Sequence, residues 1–120
     1  MAGIQKSEIG NQKYNYRMDR IAMLKAILAD NPNDAFARYG LALEYANSGD
    51  TAAALAEYEK IVATNPDYVP AYQMGGQLLL NLRREEEARQ WFDKGITAAR
   101  RTGNRHAESE MQGMLETLPE

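Results

Sequence analysis

The chain has 120 residues, 44% of them hydrophobic and only four of them proline, which fits one globular domain able to bury roughly two-thirds of its unfolded surface. A net charge of −3, from 14 basic and 17 acidic residues, argues against nucleic acid as the main partner, because phosphate binding draws on a concentrated basic face. The absence of cysteine excludes disulfides, thiolate metal sites and thiol nucleophiles and leaves the compartment open. No stretch is apolar for long enough to span a bilayer, and Met1 to Lys6 lacks the apolar core of a secretory signal, so a soluble, cytoplasmic protein is expected.

Residues 1–17 read as an irregular leader. Gly3 and Gly10 are poor helix residues, and Ile4, Ile9, Tyr14 and Tyr16 follow neither a helical nor a strand period. The leader is either an untethered tail or a segment whose apolar residues dock on the domain or on a second copy. From Met18 the pattern is helical. Ile21, Leu24, Ile27 and Leu28 make one stripe, Asp19 suits the positive N-terminal end, and Asn31-Pro32 stops the helix.

Residues 35–68 read as two amphipathic helices joined at Asn47-Ser48-Gly49-Asp50 and closed by Asn65-Pro66. Small Ala42 and Ala54 permit close approach, and Leu41, Tyr45, Tyr58 and Ile61 recur at three- and four-residue steps to fill the seam. Outer apolar positions such as Leu55 and Val62 call for a neighbouring pair. The next pair runs from Asp67 to Leu82, with Pro70 in the opening turn, and from Glu85 to Arg101, with Ala88, Phe92, Gly95 and Ile96 on the buried side. Gly75-Gly76 inside the first of these helices disfavours it by about 0.5 to 1 kcal/mol per glycine relative to alanine, which close helix packing or a close ligand would offset. Glu85-Glu86-Glu87 and Arg100-Arg101 complement the dipole of the second helix. After Thr102-Gly103-Asn104, residues Arg105 to Leu118 carry Met111, Met114, Leu115 and Leu118 at i, i+3, i+4 and i+7, the form of a closing helix. A methionine stripe also suits an adaptable binding face.

A period links these segments. Pro32 and Pro66 stand 34 residues apart (66 − 32 = 34), each in an Asn-Pro dipeptide that ends an apolar run. The same offset superposes Leu24, Tyr58 and Phe92, then Ile27, Ile61 and Gly95, then Leu28, Val62 and Ile96. The chain therefore divides into a half-repeat at 18–34, repeats at 35–68 and 69–102, and a capping helix at 103–118. Tyr58, Phe92, Leu41 and Tyr45 are expected in the core.

The pattern Leu41-Ala42, Tyr45, Gly49-Asp50, Ala54, Tyr58 and Pro66 resembles the tetratricopeptide repeat, a helix-turn-helix unit with large and small residues at fixed points. The resemblance implies an all-α fold of antiparallel helix pairs stacked as a short right-handed superhelix. Three positions depart from the family: Arg20 replaces a small alanine, Gly75-Gly76 replaces the usual Leu-Gly-like pair, and Arg83-Arg84 occupies a turn that favours glycine. The first departure suits a true half-repeat, whose edge is expected to be covered by the leader or by a second molecule.

Chemistry finds little support. His106 is the single histidine, and no cysteine or serine arrangement forms a metal set or a triad. The consecutive Glu85, Glu86 and Glu87 point in different directions on a helix, and Gly75-Gly76 lacks the features of a phosphate loop. Neither an enzyme nor a cofactor or metal protein is expected. Between Asn81 and Arg105 seven basic residues (Arg83, Arg84, Arg89, Lys94, Arg100, Arg101, Arg105) face four acids, a surface either ordinarily solvated or open to an acidic partner.

The resemblance implies a protein-protein interaction module that holds a peptide or partner helix in a concave groove, the alternative being a structural or homo-oligomerisation unit. Carrying over the family's concave positions points to Phe36, Tyr39, Leu43 and Asn47 on one helix and Gln73, Gln77, Leu80 and Asn81 on the next. Some family members hold a carboxylate terminus with lysine, arginine and asparagine there. Tyr39, Leu43 and Gln73 stand at the matching positions, so an apolar ligand with weak salt dependence is expected instead.

Overall fold

A computed structural model describes the backbone of residues 12–119 and the side chains of residues 18–119. The expected docking of the Ile4, Ile9, Tyr14 and Tyr16 side chains lies outside the described residues. Six helices follow in order among them: α1 (Gln12–Asp30), α2 (Ala35–Asn47), α3 (Thr51–Thr64), α4 (Val69–Asn81), α5 (Glu85–Thr102) and α6 (Arg105–Glu116). No strand occurs among the described residues. Each helix packs on the next, and α4 also touches α6, so α2, α4 and α6 form one layer and α1, α3 and α5 the other. The predicted elements are all present, with one shift: α1 begins at Gln12, ahead of the expected Met18, so the irregular leader cannot extend to residue 17.

Helix starts follow local chemistry. The side chains of Asp34, Asp50 and Asn104 accept from the amides of Ala37, Ala53 and Ala107 at 3.0, 3.1 and 3.1 Å, capping α2, α3 and α6. One period after Asp34 and Asp50 stand Tyr68 and Arg84, and neither gives α4 or α5 a side-chain cap. Pro70 in the first turn of α4 and the three glutamates of α5 take over, aided by Arg84, which donates to Glu87 Oε1 at 2.8 Å.

The helices of each pair meet through small residues. Ala42 and Ala54 are fully buried between α2 and α3, and Ala88 is fully buried where α5 faces α4. The glycines of α4 are explained by contact rather than by conformation. A Cβ on Gly75 would sit 2.5 Å from the Trp91 ring, and one on Gly76 would sit 2.6 Å from the Phe92 ring. Gly95 is held likewise between Met111 and Tyr72. The glycines thus admit aromatic rings that could not otherwise approach the helix backbone.

One main core runs through α3 to α6, with Tyr58, Ile61, Leu79, Phe92 and Met111 all but excluded from solvent. Leu28, Ala37 and Leu41 form a smaller cluster between α1 and α2, flanked by Ile21 and Leu24. One core expectation is corrected there: Tyr45 is only partly buried. Ile27, part of the α1 stripe, is 41% exposed. Both lie at the open end of the stack, where α1 has no described helix on its far side and Lys25 Nζ sits 5.9 Å from the Tyr45 ring centroid.

Polar groups tie successive units together. Arg38 donates to the Pro32 carbonyl at 2.8 Å and pairs with buried Glu57 at 2.7 Å, while Lys60 approaches the same carboxylate at 3.3 Å. One period later the Tyr72 hydroxyl donates to the Pro66 carbonyl at 2.8 Å. Buried Glu44 pairs with Arg20, the residue standing where Ala54 and Ala88 close the later pairs. The long side chain that departs from the small-residue pattern therefore neutralises a carboxylate on α2.

The turns give a paired test. Gly49 lies at φ 87° and Arg83, its equivalent one period on, at φ 60°, a left-handed conformation that disfavours a side chain. Arg83→Gly is expected to raise stability by up to about 1 kcal/mol, whereas Gly76→Ala, which forces a methyl into the Phe92 ring, should lower it by about 1 to 3 kcal/mol. Chemical denaturation of both variants checks this; a stabilising Gly76→Ala would show that the ring contact is not a constraint.

Candidate functional site

The layer of α2, α4 and α6 carries two clefts that adjoin at Met74 and Gln77. The first, about 310 Å³, lies between α2 and α4; Asn47, Gln77 and Asn81 line it over Tyr58 and Leu78. The second, about 400 Å³, lies between α4 and α6 and is lined by Gln73, Met74, Gln77, Glu110, Gly113 and Met114, with Phe92 beneath. Gln77 Nε2 donates to Asn81 Oδ1 at 3.3 Å, and Gln73 Nε2 donates to Glu110 Oε1 at 3.2 Å across the second cleft. Apolar floors with amide rims suit a polypeptide whose side chains are apolar and whose backbone needs partners.

The eight residues proposed from sequence divide accordingly. Asn47, Gln77 and Asn81 share the first cleft, and Gln73 and Gln77 share the second. Leu43 and Leu80 are half-buried and line neither, Leu80 being packed against the core. Phe36 is 79% exposed and stands apart from both clefts. Tyr39 is engaged inward, its ring centroid 6.0 Å from that of Tyr58 and 5.7 Å from that of Tyr68, so it offers less free aromatic area than its position promised. Met74, Glu110, Gly113 and Met114 are among the lining residues that sequence reasoning did not assign to the groove, together with Tyr58, Leu78 and Phe92 of the floors. The methionine stripe was the available signal: Met111 is fully buried as a cap residue should be, while Met114 both packs on the core and lines the second cleft.

The basic region is largely paired. Arg84 pairs with Glu87, Arg89 with Glu86 at 3.7 Å, Arg100 with Glu108 at 2.6 Å, and Arg101 with Asp67, so four of its seven bases already have acidic neighbours. That arrangement favours an ordinary solvated face over a docking patch. Among the described residues, no three of His, Asp and Glu gather to hold a metal ion, and no helix is long and apolar enough to cross a membrane.

A family model of the tetratricopeptide repeat matches residues 21–74 and again residues 45–108. The chain belongs to the tetratricopeptide repeat family. A tetratricopeptide repeat domain protein from Salinibacter ruber, solved by NMR in solution, is 38% identical over 70% of this chain and 85% of that one, with a TM-score of 0.67. A TPR repeat-containing protein of Pseudomonas aeruginosa is 28% identical over 79% of this chain and 90% of its own length. The TPR2B domain of yeast Sti1, solved in its complex with pHsp70, is 17% identical over 90% of this chain and 89% of that one, and with a TM-score of 0.73 it shows the shared fold. Tetratricopeptide repeat domains bind proteins or peptides, and the fold of this chain is that of a protein-protein interaction module in general. The repeat pattern therefore accounts for the fold and the two-layer arrangement.

The tyrosines packed in and beside the core are electrostatically marked. Burial, with the neighbouring Tyr68 adding to it, raises the Tyr39 phenol above its ordinary value; burial followed by Tyr39 does the same to Tyr58, and burial followed by Asp34 to Tyr68. Tyr72 is raised by burial, against the lowering effect of Arg101. Because these acids have higher values folded than unfolded, their contribution to stability is full below the ordinary phenol value of about 10 and is lost as pH rises beyond it. Stability should hold flat from neutrality to about pH 10 and then fall, less steeply in Tyr58→Phe. Absorbance titration at the phenolate band checks the cause: equal midpoints for native and denatured chains would rule it out.

Proposed function

We propose that the chain captures a peptide or partner helix along its α2, α4 and α6 layer, using the two adjoining clefts as consecutive binding sites. The observation that carries this reading is their shared wall: Met74 and Gln77 face both clefts, so one bound segment can occupy both while its backbone meets the amides of Asn47, Gln73, Gln77 and Asn81. Among the described residues no lysine or arginine lines either cleft, which disfavours a carboxylate-directed site of the kind some family members use. The partner is accordingly an apolar segment, and its binding depends little on salt.

Peptides selected by display against the purified chain test this. Their affinity should change by less than about tenfold between low and high salt, and Met74→Ala combined with Gln77→Ala should weaken them by about tenfold or more, as loss of a central contact does. Selected peptides that release at high salt, or that bind the double variant unchanged, would move the site to the arginine-rich surface.

A second reading has its own observation. On α1, Met18 is 50% exposed, Met23 59% and Ile27 41%, an apolar edge facing away from the stack. Self-association through that edge would make the mass measured by light scattering rise with concentration, and Met23→Lys with Ile27→Lys would abolish the rise. A monomer at all concentrations leaves this reading without support.

A further inference from the structure

We propose that the cleft between α4 and α6 is an anchor pocket for one apolar side chain whose segment also carries a cationic group at the pocket's mouth. The proposal rests on the reading of the α2, α4 and α6 layer as the partner surface and names what its α6 end selects.

Gly113 is the first observation. Gly75, Gly76 and Gly95 are each required by a neighbour that an added Cβ would strike at 2.7 Å or less, but a Cβ on Gly113 would meet nothing within 4 Å. It stands inside α6, where glycine disfavours the helix relative to alanine, and no packing among the described residues offsets that. Its open side is the wall of the cleft, directly beside Met114. A missing side chain at that wall is room for an incoming one. The volume of about 400 Å³ lies in the lower part of the range for ligand pockets, and the flexible thioethers of Met74 and Met114 adapt to the shape of the group that enters.

Charge supplies the second observation. Glu110 is half-exposed at the mouth; its Oε1 accepts from Gln73 Nε2 at 3.2 Å and lies 3.1 Å from His106 Nε2, while Oε2 takes no partner among the described residues. Among the described residues no lysine or arginine lines this cleft to neutralise it, and no charged residue lines the neighbouring cleft toward α2. A bound segment therefore finds its single electrostatic cue at the α6 end, where an ammonium or guanidinium complements Glu110, and this cue fixes the direction in which the segment lies.

Two small probes isolate the two features: 3-phenylpropylammonium, which combines a ring with a cation, and 3-phenylpropanoate, which keeps the ring and reverses the charge. In NMR titrations the ammonium probe should move the Met74 and Met114 methyl signals and the Gly113 amide in a saturable way. The carboxylate probe should bind about two- to fivefold more weakly, the scale of one exposed ion pair, and Glu110→Gln should erase that difference. Gly113→Leu should abolish the shifts at Met114 with the thermal midpoint unchanged or raised; should it unfold the chain, Gly113→Ala gives the same test through a weaker probe response. Methyl signals that stay still, equal binding of both probes, or a Gly113→Leu chain that binds as before would overturn the proposal. If display-selected peptides then still bind that variant and perturb the Asn47 and Asn81 amides, the wider groove reading survives without the pocket.

Discussion

The constraint on which this structure depends is the contact between the backbone of α4 and the aromatic rings of α5. Phe92 is fully buried, and its ring reaches so near Gly76 that a Cβ there would sit 2.6 Å from it; Trp91 occupies the same relation to Gly75. Two glycines in one helix disfavour it by about 1 to 2 kcal/mol in all, and burial of one large aromatic side chain, at about 1.5 to 3 kcal/mol, is enough to offset them. The sign of the balance follows from where the ring goes. With Gly76 bare, Phe92 passes under α4 and becomes the base of the cleft on its other side. The same contact that fastens the second helix pair thus shapes the surface offered to a partner.

Equivalent positions in successive repeats keep their geometry while exchanging their chemistry. The carbonyls of Pro32 and Pro66 both accept from the residue six places on, a guanidinium in Arg38 and a phenol in Tyr72. The charged version brings Glu57 inward with it, and the neutral version leaves no acid to balance. Buried Glu44 and Arg20 make a similar exchange where the later repeats place Leu78 and Ala54 or Ala88. A one-period offset therefore preserves where a hydrogen bond or a packed side chain is needed, and it leaves open whether a charge pair or an apolar group supplies it.

Much of the fold was legible in the sequence because helical stacks are built from local rules. The 34-residue spacing of Pro32 and Pro66, the small Ala42, Ala54 and Ala88 and the turn at Gly49 each act within one helix pair, so a linear pattern records them. The candidate site was less legible for the opposite reason. Asn47, Gln73, Gln77 and Asn81 fell where the repeat pattern put them, but Tyr39 is drawn inward by Tyr58 and Tyr68, a contact between two helices and a turn that no spacing within α2 announces. Met114 and Glu110 belong to the capping helix, outside the repeat, so a rule that reads the groove from first helices alone passes over them. The onset of α1 was missed because Gly10 and the irregular apolar spacing before it hide a helix that starts at Gln12.

The two ends of the stack solve the same physical problem in different ways. At the α6 end Met111 is fully buried, Ala107 nearly so, and polar residues cover the outer face, so the last pair is closed. At the α1 end Met18, Met23 and Ile27 remain exposed, and the cluster beneath them is small. An exposed apolar edge can bury area against many surfaces with little discrimination. A recess can discriminate: the cleft proposed as the anchor pocket has methionines on its wall to limit size, the amides of Gln73 and Gln77 to pair with polar groups, and the carboxylate of Glu110 to disfavour a negative one. On the proposed reading, selectivity toward a partner belongs to the α6 end of the stack, and the α1 end adds area alone.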